Sequence, residues 1–64
     1  MDKKTVTFTV QMDEDQAYQL AQFLKRVGFS EIRQHASDDA EAYIMKDGLD
    51  QVRLALQRSG YDPR

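Results

Sequence analysis

Apolar and polar positions alternate strictly over residues 5–10. Val6, Phe8 and Val10 fall on one side, and Thr5, Thr7 and Thr9 on the other. A period of two in β-branched and aromatic residues predicts a β-strand with one apolar face. The period then lengthens to that of a helix. Asp13 stands where an N-cap belongs, Gln16 follows at capping-box spacing, and Glu14 and Asp15 fall in the first turn, where the helix dipole favours carboxylates. Ala17, Leu20, Ala21, Leu24 and Val27 share one face, so the first helix should run to about Val27, with Phe23 beside the stripe. Gly28 is the expected left-handed stop, with Phe29 folding back on Leu24.

The far end of the chain repeats this grammar. Met45, Leu49, Val52 and Leu56 line one helical face, with Ile44 and Ala55 beside it. Gly60 should end that helix, Tyr61 should return to Leu56, and Pro63 should block continuation. Gly48 inside the pattern either weakens the helix or marks a close contact, at about 1 kcal/mol relative to alanine.

The stretch from Phe29 to Gly48 allows two readings. As helix, Ser30 caps a short segment carrying Ile32 and Ala36, and Ser37 or Asp38 caps the final helix, with Glu41 completing a box with Asp38. As strands, residues 30–36 and 40–45 form a hairpin around residues 37–39 and give the first strand partners. Helix is preferred, because alternation is poor there and alanine and glutamate are depleted in strands. The expected fold is therefore α+β: one N-terminal β-strand followed by two or three α-helices (β-α-α-α). The alternative is β-α-β-β-α with a small antiparallel sheet. Residues 1–64 form a single small domain.

Composition narrows the chemistry. The chain has no cysteine and one histidine, His35, so disulfides and thiolate zinc sites are excluded and a structural metal is not expected. A core this small gains from a partner chain. No phosphate loop, paired-histidine motif or Ser-His-Asp pattern is present, and Asp13, Glu14 and Asp15 lack EF-hand spacing. Catalysis, cofactors and metal are all expected to be absent. No apolar run is long enough to span a bilayer and no signal segment is visible, which points to a cytoplasmic protein without membrane contact.

Charge changes the picture most. The net charge is −2, yet residues 13–50 carry nine acids and four bases. Asp13, Glu14, Asp15, Asp38, Asp39, Glu41, Asp47 and Asp50 are the candidate partner-binding residues. Together they could present a negative face to a protein with a basic nucleic-acid-binding surface. The acids at helix starts also serve as caps and dipole partners without any partner protein. Direct nucleic-acid binding would need clustered lysine and arginine, which this segment lacks.

Two resemblances follow from these residues. From Thr5 to Ala36 the order of strand, helix, glycine turn and serine-capped helix resembles the ribbon-helix-helix DNA-binding dimers. That resemblance implies a homodimer whose strands pair, with Val6, Phe8 and Val10 inward and Thr5, Thr7, Thr9 and Gln11 toward bases. The sequence departs from it in charge, with Lys3, Lys4, Lys25 and Arg26 as the only nearby bases. From "VTFTV" through "LAQFLKRVGF" to "EAYIM" and "GYDPR", the whole chain resembles small proteins of bacterial mobile elements. In size, acidity and element order it is similar to anti-CRISPR proteins that inhibit type I systems. That resemblance implies an inhibitor covering the DNA-binding surface of a Cascade subunit. A structural accessory subunit is a third reading.

Overall fold

The computed structural model describes residues 4–62. It contains three helices: α1 (Glu14–Arg26), α2 (Phe29–Arg33) and α3 (Asp39–Arg58). Both shorter helices pack on α3. Among the described residues there is no β-strand. This corrects the β-α-α-α expectation and removes the β-α-β-β-α alternative. Residues 30–33 lie within α2, and residues 40–45 lie in the first turns of α3, so the hairpin does not form.

The physical reason lies in how each element satisfies its backbone. A helix closes its hydrogen bonds within itself, whereas a strand needs a neighbour. Residues 4–12 have none: among the described residues, no backbone hydrogen bond involves them. Val6, Phe8 and Val10 are 83%, 70% and 61% exposed. We refer to residues 4–12 as the arm. The Lys3 charge and the Pro63 stop lie outside the described residues.

The start of α1 follows the sequence closely. The Asp13 carboxylate accepts from Gln16 N–H at 2.8 Å, and Asp13 N–H donates to Gln16 Oε1 at 3.1 Å, which completes the capping box. Ala17, Ala21 and Leu24 are buried, and Leu20 and Val27 are half-buried. The end of α1 differs from expectation. Gly28 has φ −97° and ψ 161°, so it is extended rather than left-handed and acts as the N-cap of α2. The Glu31 carboxylate accepts from Gly28 N–H at 3.4 Å. The Phe29 ring lies against Tyr43 on α3, with centroids 4.8 Å apart. Ser30 therefore sits inside α2 rather than capping it.

Two acids close the corner before α3. Asp38 caps the helix by accepting from Glu41 N–H at 2.8 Å. The Glu41 carboxylate reaches one residue further back than a standard box and accepts from Ser37 N–H at 3.4 Å. Arg33 spans the corner: its Nε donates to Asp39 Oδ1 at 2.8 Å and its Nη1 donates to the Ala36 carbonyl at 2.9 Å. The pair is solvent-exposed, so it fixes geometry more than it adds stability.

At the other end, Gly60 has φ +100° and ends α3 as anticipated. Tyr61 N–H donates to the Leu56 carbonyl at 2.9 Å, and Gly60 N–H donates to the Gln57 carbonyl at 3.0 Å. These are the two bonds of a Schellman motif.

Only Ala17, Ala21, Leu24, Ile32 and Ala42 are buried among the described residues. Three of the five are alanines, so the centre of the fold is thin. Ile44 and Ala55, placed beside the apolar stripe of α3 by their spacing, are exposed, whereas Met45, Leu49, Val52 and Leu56 are half-buried.

Candidate partner-binding surfaces

The eight candidate carboxylates occupy three places. Asp13, Glu14 and Asp15 surround the N-terminus of α1, and Asp38, Asp39 and Glu41 surround that of α3. Asp47 and Asp50 lie further along α3. Lys46 Nζ donates to Asp50 Oδ2 at 3.0 Å. That hydrogen bond, followed by the charge of Asp50 and then that of Asp47, raises the Lys46 ammonium above its ordinary value.

Several of these acids have structural duties. Asp13 and Asp38 cap helices, Glu41 accepts from Ser37, Asp39 pairs with Arg33, and Asp50 pairs with Lys46. Each cap uses one carboxylate oxygen, Oδ1 in both cases. Glu41 is half-buried and the other seven acids are exposed. Among the described residues, no group of three or more His, Cys, Asp or Glu side chains converges on a point that could hold a metal ion.

A second surface was not apparent from the charge pattern. Phe23 and Val27 of α1, Ile32 of α2, and Met45, Leu49 and Val52 of α3 line an open groove of about 560 Å³. Glu31 and His35 are also part of its lining, and Gly48 lies among the α3 residues. His35, exposed, is therefore a groove-lining residue. A Cβ added at Gly48 would meet nothing within 4 Å. Among the described residues, the close contact considered for this glycine is not present. The signals that could have revealed the groove were Phe23 standing beside the α1 stripe and Gly48 interrupting α3. Both are small departures from clean amphipathic patterns, and both face the same opening.

No helix among the described residues is long and apolar enough to cross a membrane. No curated protein and no solved structure matches the chain. Residues 1–64 match one family model, described as a family of unknown function, DUF7706, and the chain belongs to that family.

Proposed function

We propose that this DUF7706 member is a non-catalytic binding protein whose carboxylates engage a basic nucleic-acid-binding surface of a protein partner. The observation that supports this best is the α3 corner. Asp38, Asp39 and Glu41 stand together there, and Arg33 is the one base paired to any of them among the described residues. Backbone hydrogen bonds orient Asp38 and Glu41 without cancelling their charge, and Arg33 holds Asp39 in place, so the corner presents fixed negative groups rather than floppy ones. A Cascade subunit of a type I CRISPR system is the partner that the mobile-element resemblance suggests, and cytoplasmic residence goes with that partner.

Direct DNA binding has less support. The described part of the arm carries a single base, Lys4, and Asp13, Glu14 and Asp15 follow it. A duplex laid on the arm would face three carboxylates.

The test uses the triple variant Asp38→Asn, Asp39→Asn, Glu41→Gln, which keeps hydrogen-bonding shape and removes three charges. The readout is displacement of a labelled duplex from a purified DNA-binding Cascade subunit. The wild-type chain should displace the duplex, more weakly as salt rises, and the variant should be at least tenfold poorer. Equal displacement by both proteins refutes the acidic-surface reading. Binding of the labelled duplex by the chain itself would favour the DNA-binding reading instead.

A further inference from the structure

Helix α3 has two features that the rest of the described chain does not use. The first is Gly48, which stands at the middle of the helix, with nine residues of α3 before it and ten after it. A Cβ at this position would meet nothing within 4 Å, so no contact among the described residues requires the glycine. Glycine weakens a helix interior, and what its missing Cβ permits is close approach by another backbone. The second feature is the groove beside it. Met45, Leu49 and Val52 are only half-buried there, and Phe23 on the α1 wall is 54% exposed.

Charge decides what fits the groove. Lys46 pairs with Asp50, and Arg33 pairs with Asp39. The other charges of α3 and its cap are segregated: Asp38, Glu41 and Asp47 precede Gly48, and Arg53 and Arg58 follow it. A helix with this layout complements its own copy when the two run antiparallel. The acidic half of each then lies beside the basic half of the other, and the helix dipoles oppose. Parallel pairing would lay acid on acid.

We infer that a second copy of this chain occupies the groove, with the two α3 helices crossing antiparallel at Gly48. A two-fold axis between residues 48 and 49 sets Leu49 of each copy over Gly48 of the other, and Met45 beside Val52. The missing Cβ leaves a hole that Leu49 enters as a knob, and the axes can approach to about 8 Å. Phe23, Val27 and Ile32 form the side wall of each groove. The contact uses no residue of the arm. It adds apolar burial to a fold whose own centre is mostly alanine, and small domains gain most from such support.

Sedimentation of the unmodified chain should show a dimer that dissociates on dilution. Gly48→Gln separates the two roles of the position. Glutamine is the better helix former and its Cβ has open space, so the urea midpoint of the diluted, monomeric chain should rise. The same side chain obstructs the crossing, so the dimer should weaken by about tenfold or more. Because the chain has no cysteine, introduced cysteines report the direction of pairing. In the antiparallel pair, residues 45 and 52 each lie about 10 Å along the axis from their own copies but beside one another. Under mild oxidation a mixture of Met45→Cys and Val52→Cys should crosslink, and neither should crosslink alone. Replacing Val6, Phe8 and Val10 together by serine should leave the dimer unchanged. A monomer at all concentrations overturns the proposal. So does crosslinking of Met45→Cys on its own, which would mean parallel or unspecific association. An undiminished Gly48→Gln dimer overturns the crossing at Gly48, and loss of the dimer in the serine variant overturns the groove as the interface.

Discussion

The arm and the helices stand in opposite relations to their own side chains. In α1 and α2 the apolar groups at helical spacing turn inward, and Ala17, Ala21, Leu24 and Ile32 are buried. In the arm the alternating apolar groups turn to solvent. The difference does not come from hydrophobicity, since Val6, Phe8 and Val10 are at least as apolar as the buried set. It comes from the range over which the backbone is satisfied. A helix needs only residues four positions away, so amphipathic spacing is sufficient to bury a face. An extended segment needs a second strand, and none is present among the described residues.

This comparison can be broken most severely at Leu24. Leu24→Ala removes one of the two large buried side chains and should lower the unfolding free energy by about 2–5 kcal/mol, read as a fall in the urea midpoint. In a domain this small, that amounts to much of the total. A smaller effect falls at the α3 corner. Asp38→Ala should cost about 1 kcal/mol through loss of the cap, whereas Asp38→Asn, which keeps an acceptor for Glu41 N–H, should stay close to wild type. Similar losses in both variants would show that charge rather than capping holds the corner. The smallest effect should come from the arm. Replacing Val6, Phe8 and Val10 together by serine should change the unfolding free energy by less than about 0.5 kcal/mol, read from the same urea titration. A large shift there would mean that the arm covers the helices of its own chain.

The parts legible from sequence were those decided locally. The Asp13 box, the α1 stripe and the Gly60 ending each depend on a few neighbouring residues and stand as read, and of Ser37 and Asp38 it is Asp38 that caps α3, without the expected Glu41 box. The parts that were not legible depend on distant residues. Gly28 is compatible with either a left-handed stop or an extended N-cap. The choice of extended backbone accompanies an α2 that packs on α3 and a Phe29 ring set against Tyr43. Pattern alone could not show that the arm lacks a neighbour. Asp13, Glu14 and Asp15 stand at the start of α1 and Asp38, Asp39 and Glu41 at that of α3, whereas Asp47 and Asp50 lie within α3. Their shared use in binding depends on a partner surface, which no property of a single chain specifies. The groove was hidden because its lining is drawn from α1, α2 and α3 together, which no single helical stripe reveals.

Ala42 carries a consequence for which sequences this fold can accept. Its methyl group is wholly enclosed, at 0% exposure, on the helix against which both others rest. Any larger side chain there must push α1 or α2 outward, and overpacking of this kind costs about 1–3 kcal/mol. Two positions on, Ile44 is 72% exposed and can drift to almost any helix-forming residue. Within α3, sequence drift should therefore be narrowest at a small, chemically plain residue and widest at a conspicuous apolar one.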